Sequence, residues 1–231
     1  MRELLDALRD AENDEDVGCV VIASEGPVFS SGHDLRELAA LRDDPEGAAR
    51  VFELCSELMQ QLVRSSKPSI ACVQGLATAA GCQLVASCDL AVAADHAAFA
   101  TPGVDIGLFC STPAVAISRV VPRKRALEML LTAERIPAQA ASEFGLVNRV
   151  VVADELEQAT LELAERIASK PRDTVASGKR AFAAQAELGL GDAYVEMSRA
   201  MACGLAAADA DEGLTAFLEK RRPDWNRADR T

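Results

Sequence analysis

Two short segments of small residues have the composition needed to present backbone N–H groups to a reacting atom. They are Gly26–Leu35 and Gln74–Leu84, and each follows an apolar run that contains β-branched residues. Loops built from such small residues can approach each other closely enough for two N–H groups to point at one position. A pair of convergent N–H donors, one of them near a helix N-terminus, suits an oxygen atom on which negative charge develops.

These two segments resemble the A-G-x-D-L and N-G-x-A-x-G-G-G-C-E-L motifs of the enoyl-CoA hydratase/isomerase family, the crotonase superfamily. The resemblance continues in order along the rest of the chain, through Pro102–Leu108, Arg125–Thr132, Ala141–Val147 and Glu212–Pro223. An ordered series of matches is far more specific than a single glycine motif.

The resemblance implies an oxyanion hole formed by the backbone N–H groups of His33 and Ala80, which would polarise a thioester carbonyl. It also implies substrate-binding roles for a set of surrounding residues, namely Ser31, Asp34, Leu35, Ala77, Gln83, Pro102, Gly103 and Ser111. Ala80 can donate its N–H only if its φ is not positive. The alternative interpretation is that both segments are merely tight turns.

The carboxylates that the family uses for proton transfer are absent from the matching positions. Hydratases of the family carry glutamates where this chain has Gln83 and Gly103, and some isomerases and dehalogenases carry an aspartate where it has Ser111. General acid–base help contributes roughly two to four orders of magnitude in rate. We therefore expect weak or no classical hydration, and we expect the Gln83→Glu, Gly103→Glu double variant to gain it if the pocket is otherwise intact.

Three other titratable residues near the two segments have alternative interpretations. The His33 side chain either packs against its loop or carries a proton near neutral pH. Asp34 is expected to hold the loop by accepting hydrogen bonds from nearby N–H groups rather than to act in catalysis. Asp105 is expected to have a structural partner, with a displaced acid as the alternative.

The remaining candidates also have structural alternatives. Ser111 is expected near a helix cap rather than as a nucleophile, with Thr112 at the N-cap and Pro113 at the first helical position. Cys82 and Cys110 are expected to be small apolar fillers rather than nucleophiles. Lys220 and Arg221 either approach the CoA phosphates, as the resemblance implies, or lie on an exposed helix end.

Composition limits the partners and the compartment. The 231 residues carry a formal net charge of −12, which argues against a nonspecific nucleic-acid surface. The seven cysteines form no C-x-x-C motif and there are only two histidines, so we expect no metal site.

No apolar run reaches the roughly 20 residues that span a bilayer. We expect no membrane association and no cofactor except coenzyme A as part of the substrate. The expected location is cytoplasmic, or the mitochondrial matrix if a transit segment has been lost.

Apolar periodicity predicts alternating strands and helices in the first half of the chain and helices in the second. Strands are predicted at Val17–Ala23, Ser69–Val73, Leu90–Ala93 and Ala98–Ala100. Helices are predicted at 1–12, 47–63, 79–87, 113–120, 123–131, 138–144, 155–169, 172–185, 193–208 and 211–220. This order favours an α/β fold built as a spiral of ββα units with a helical tail. The predicted division is a core at residues 1–169 and a helical region at 170–231.

The resemblance adds expectations about assembly and about the start of the chain. Relatives assemble through the helical region, which implies a homotrimer or a dimer of trimers. They also carry two strands before the first long helix. Either the start of this sequence is misplaced or trimmed, or the protein lacks those strands, which would leave a sheet edge open and weaken the CoA site.

Two functional hypotheses follow from different classes of protein. The first is an enzyme that acts on acyl-CoA through a polarised carbonyl, by thioester hydrolysis, decarboxylation or enolate isomerisation. The second is a binding or regulatory protein of lipid metabolism that retains the acyl-CoA pocket without turnover.

Overall fold

The computed structural model describes residues 1–225. Eight strands lie at Val20–Ile22 (β1), Val28–Ser30 (β2), Ser69–Val73 (β3), Leu76–Thr78 (β4), Leu90–Ala94 (β5), Ala98–Ala100 (β6), Ile136–Pro137 (β7) and Arg149–Val151 (β8). They form two four-stranded sheets, one in the order β1-β3-β5-β8 and the other in the order β2-β4-β6-β7. All neighbouring strands are parallel except β6 and β7.

Helices follow each pair of strands along the chain. They lie at Arg2–Asn13 (α1), Leu35–Ala40 (α2), Pro45–Arg64 (α3), Ala80–Ser87 (α4), Ser111–Val120 (α5), Arg123–Thr132 (α6), Ala138–Glu143 (α7), Leu156–Ala168 (α8), Arg172–Gln185 (α9), Leu190–Leu205 (α10) and Ala208–Leu218 (α11). The first three pairs of strands each place one strand in each sheet before a helix follows, whereas α7 lies between β7 and β8. The predicted spiral of ββα units is therefore confirmed.

The core lies around the first sheet. Every residue of β3 is buried, and Ile70, Val73 and Val92 have no exposed surface. A strand covered on both faces needs a continuous apolar run, which explains the sequence of β3 and β5. Many partners are alanines, so the helices approach the sheets closely.

The strands β1 and β2 each lie at the edge of a sheet. Within residues 1–225 no strand precedes α1, and β1 and β2 each have a single neighbouring strand. Among the described residues, β1 and β2 are therefore each unpaired on one side.

Helix α5 begins earlier than its sequence pattern predicts. The prediction of Thr112 at the N-cap is wrong, because the helix begins at Ser111 with Cys110 at the N-cap and no side-chain cap. Pro113 consequently sits in the third helical position, where it removes one N–H from the helix start.

A partly buried ion pair connects α9 to the core. The Nζ of Lys179 lies 2.7 Å from Asp89 Oδ2 and donates hydrogen bonds to the carbonyl oxygens of Leu62 and Lys67, both at 2.8 Å. The predicted division between residues 169 and 170 falls in the link between α8 and α9. Residues 226–231 of the predicted helical region lie outside the described residues.

Candidate functional site

The loops after β2 and β4 lie directly against each other. Gly32 has a φ of +86°, and a Cβ placed on it would come within 3.2 Å of the Ala80 nitrogen. A Cβ on Gly81 would lie 2.3 Å from the carbonyl oxygen of Ser30. The Thr78 hydroxyl donates to the carbonyl oxygen of Ser31 at 3.1 Å. Only residues without side chains allow the two backbones to approach this closely.

The turn that starts α4 is unusual. Ala79 has φ 49° and ψ −117°, a conformation that glycine adopts readily and alanine rarely does. Its own N–H donates to the Ala100 carbonyl oxygen at 2.9 Å, which holds the turn against β6. The next residue, Ala80, has no positive φ and begins the helix.

The N–H groups of His33 and Ala80 are both available to a ligand. Neither donates a hydrogen bond to any group within residues 1–225. Both residues line the same cavity. An N–H at the first position of a helix also carries the positive end of the helix dipole.

The cavity has a volume of about 590 Å³ and is mainly apolar. Its walls come from the two loops, α2, α3, the 3₁₀ helix at Pro102–Ile106 and the start of α5. A second depression, of about 610 Å³, is lined entirely by residues of α3. It brings together no groups from different elements, so we assign the site to the first cavity.

The structure brings together most, but not all, of the predicted site residues. Those that line the cavity are Ser31, His33, Leu35, Ala80, Pro102, Gly103 and Ser111. Asp34, Ala77 and Gln83 do not line it. Sequence reasoning did not assign the other wall residues to the site, namely Leu38, Phe52, Thr78, Ala79, Asp105, Ile106, Leu108, Phe109, Cys110, Thr112 and Pro113.

The three predicted residues outside the cavity have other surroundings. Asp34 is the N-cap of α2 and accepts the Arg36 N–H at 2.8 Å, so its predicted loop-holding role is confirmed. Ala77 is fully buried in β4. Gln83 is buried with its Oε1 3.9 Å from the Cys55 thiol, which is the hydrogen-bond donor.

The backbone around Gly103 leaves no room for a side chain. A Cβ there would lie 1.9 Å from the Leu108 carbonyl oxygen and 2.8 Å from the Cys110 Sγ. The Leu108 N–H donates to the Gly103 carbonyl oxygen at 2.9 Å and holds the loop in this position. A glutamate at position 103 would therefore require the loop to move.

His33 packs against α3. Its ring meets the ring of Phe52 edge-on, with centroids 5.4 Å apart, and its buried Nε2 has no hydrogen-bond partner within residues 1–225. Burial lowers the pKa of His33 below its ordinary value, and the nearby Glu37 carboxylate opposes this only in part. The imidazole is therefore uncharged at neutral pH.

The thiols and the hydroxyl at the site are poor nucleophiles. Burial, with a smaller contribution from Cys110, raises the pKa of Cys82 to about 12, and burial also raises the pKa of Cys110. Both side chains act as small apolar fillers. The Ser111 hydroxyl donates to the Phe109 carbonyl oxygen at 3.4 Å, and within residues 1–225 it has no hydrogen bond to a histidine or carboxylate.

Arg221, just after the end of α11, forms ion pairs with carboxylates of the same region. Arg221 forms hydrogen bonds of 2.6 and 3.0 Å to Glu212 and of 2.7 Å to Glu219, and these carboxylates raise its pKa. Lys220 adopts a left-handed conformation where the helix ends. The guanidinium of Arg221 is therefore engaged by carboxylates, which favours the structural alternative for this residue.

Potential metal ligands are dispersed over the molecule. Within the described part of the chain, no group of three or more His, Cys, Asp or Glu side chains is placed to hold a metal ion. Over the same residues, no helix combines the length and apolar character needed to cross a bilayer.

Comparison with known proteins finds relatives along nearly the whole chain. The family model described as enoyl-CoA hydratase/isomerase matches residues 1–228. The mouse protein named enoyl-CoA hydratase domain-containing protein 3, mitochondrial, is 52% identical over 224 residues, which cover 96% of this chain and 73% of that protein. The human protein of the same name is 52% identical over 221 residues, with coverage of 96% and 72%.

Solved structures agree with this assignment. The crystal structure of human enoyl Coenzyme A hydratase domain-containing protein 3 matches with a TM-score of 0.93 at 50% identity and covers 97% of this chain and 88% of that one. The Mycobacterium smegmatis enoyl-CoA hydratase matches with a TM-score of 0.92 at 46% identity, with coverage of 97% and 87%. The resemblance predicted from the motifs is confirmed.

Proposed function

This chain belongs to the enoyl-CoA hydratase/isomerase family, and from that premise we propose that it binds acyl-CoA thioesters through the backbone N–H groups of His33 and Ala80. The observation that carries the proposal is that both N–H groups belong to residues lining one cavity and have no acceptor within residues 1–225. The thioester carbonyl oxygen would accept both hydrogen bonds, and its bond to carbon would be polarised.

We further propose that classical hydration is weak or absent. Hydration requires a carboxylate to activate water and an acid to protonate the α-carbon. Gln83 points toward Cys55, Gly103 has no side chain, and Ser111 has no base beside it. The loss of general acid–base help lowers the rate by roughly two to four orders of magnitude.

A pair of matched ligands tests the carbonyl contact. Butyryl-CoA has a thioester carbonyl, whereas S-butyl-CoA is a thioether of the same chain length without it. Two hydrogen bonds at about 1 kcal/mol each predict that the thioether binds about tenfold to a hundredfold more weakly. Equal dissociation constants by calorimetry would contradict the proposed role of the two N–H groups.

The second functional hypothesis is a non-catalytic acyl-CoA-binding or regulatory protein. Its support is the vacancy of all three family carboxylate positions together with an intact cavity. Deuterium exchange separates a protein that only binds from an enzyme that forms an enolate by removing an α-proton. In D₂O, an enzyme that forms an enolate incorporates deuterium at the α-carbon of bound butyryl-CoA, which mass spectrometry detects, and a protein that only binds leaves the ligand unlabelled.

We also propose a homotrimer or a dimer of trimers. Five large apolar side chains on the last three helices are between 74% and 80% exposed, namely Phe182, Leu190, Met201, Phe217 and Leu218. A monomer seldom leaves so much apolar surface in water. Sedimentation equilibrium at several protein concentrations is expected to give three or six times the 24.5 kDa chain mass. A constant mass of one chain would exclude this assembly.

We also propose that the protein is located in a reducing compartment, either the cytoplasm or the mitochondrial matrix. All seven cysteines are free thiols, as is usual where glutathione is abundant. The mouse and human relatives carry the word mitochondrial in their names. Fractionation of cells that express the natural gene distinguishes the two compartments, and recovery in the secretory pathway would contradict both.

A further inference from the structure

One residue supplies the net charge of the cavity. Within the described part of the chain, its walls contain no lysine or arginine, and burial keeps both the His33 imidazole and the Cys110 thiol uncharged at neutral pH. Asp105, in the 3₁₀ helix, lines the same cavity. Its carboxylate has no hydrogen bond or ion pair to any other residue within 1–225. Its negative charge is therefore not neutralised locally.

The helix that starts in the cavity wall offers little to an anion. A helix N-terminus commonly binds anions through its free N–H groups. In α5, however, the Ser111 N–H donates to Phe109 at 2.7 Å and the Ala114 N–H donates to Cys110 at 2.9 Å. Pro113 has no N–H, so the first turn retains only the N–H of Thr112.

The rest of the wall is mainly apolar, and its other polar side chains are the hydroxyls of Ser31, Thr78, Ser111 and Thr112. Phe52, Ile106, Leu108 and Phe109 contribute to it, and in the proposed function the Ala80 N–H is taken by the thioester oxygen. A carboxylate moved into such surroundings loses water without gaining a cation. The Asp105 carboxylate, which is itself exposed, repels it, and water and salt screen that repulsion in part.

We propose that the cavity accepts thioesters of uncharged acyl groups, an inference that rests on the proposed function. Asp105 is the specificity-determining residue, because it repels acyl groups that carry a carboxylate. Thioesters of dicarboxylic acids are then poor ligands. Their decarboxylation is the least compatible of the three reactions that a polarised carbonyl could support.

Valeryl-CoA and glutaryl-CoA test the proposal because their acyl chains have the same number of carbons and differ by a terminal carboxylate. We expect wild-type protein to bind valeryl-CoA at least about tenfold more tightly, as measured by calorimetry. The Asp105→Asn variant is expected to tighten glutaryl-CoA binding about threefold to tenfold and to leave valeryl-CoA binding unchanged, with a smaller gain at high salt.

The matched control is Asp43→Asn, which changes the net charge equally at an exposed residue outside the cavity wall. Equal affinity of wild type for the two ligands would overturn the proposal while leaving thioester binding intact. An equal gain in Asp43→Asn would also overturn it, because the effect would then belong to the net charge of the protein. If neither thioester binds, the proposed function fails and this inference fails with it.

Discussion

Substitution of Gly103 by alanine should destabilise the protein although it adds a single methyl group. The new Cβ would lie 1.9 Å from the Leu108 carbonyl oxygen, where ordinary contacts begin above 3.0 Å. That oxygen belongs to the backbone and cannot rotate away, so the loop must move by more than one ångström. The Cys110 Sγ, at 2.8 Å, blocks a second direction.

The cost follows from two contributions. Overpacking a filled site costs roughly 1 to 3 kcal/mol, and breaking the Leu108–Gly103 hydrogen bond adds about 1 kcal/mol. We therefore expect Gly103→Ala to lower the free energy of unfolding by about 2 to 4 kcal/mol, measured by urea denaturation at constant protein concentration.

Gly107→Ala, in the same loop, is the matched control. Gly107 has a φ of +74°, and no atom lies within 4 Å of the position that a Cβ would occupy, so alanine there brings backbone strain without a clash. Its expected cost is about 1 kcal/mol. If Gly103→Ala costs no more than Gly107→Ala, the loop does leave room for a side chain at residue 103, where the family's hydratases carry a glutamate. The Gln83→Glu, Gly103→Glu double variant should gain no crotonyl-CoA hydration.

Three further substitutions have expected outcomes. Lys179→Met should cost about 1 to 2 kcal/mol by urea denaturation, because it removes the cation of a partly exposed Asp89 that keeps its hydrogen bonds from Ser69. Lys170→Met, on the surface, should be near neutral. Ala79→Gly should stabilise the protein by about 1 kcal/mol, since glycine relieves the positive φ; a loss would show that this turn is unstrained. Because burial lowers the pKa of His33, the unfolded chain takes up its proton first, so stability should fall as the pH drops below about 6.5 and level off below the folded pKa. His33→Gln should remove that contribution.

The sequence predicted most clearly the elements that depend on local pattern. The bounds of β3 and β6 match the predicted strands, and α9 matches its predicted helix, because continuous apolar runs and helical spacing are local signals. The strands β2 and β4 were not predicted as strands. Each has three residues beside glycine and serine, and each exists through pairing with strands distant in sequence.

The site shows the same division between local and distant signals. The loops that carry His33 and Ala80 could be located because their small residues follow strands. The lack of space for a side chain at Gly103 could not be predicted, because it depends on where the Leu108 carbonyl oxygen lies after the chain has turned. Asp105 was expected to have a structural partner, and only the cavity geometry identifies it as part of the wall.

The energetic cost at Ala79 bears on which chemistry the site can support. An alanine held at a glycine-favoured φ and ψ costs about 1 to 3 kcal/mol, and Ala79 in this conformation directly precedes the Ala80 N–H of the proposed site. The fold supplies no carboxylate at the hydratase positions, Gln83 and Gly103. If the carbonyl is polarised as we propose, the absence of those carboxylates favours reactions in which the substrate itself releases a group. If carboxylated acyl groups are rejected, the simplest such reaction is removed, and the His33 imidazole becomes the one uncharged base in the cavity that an enzymatic role could use.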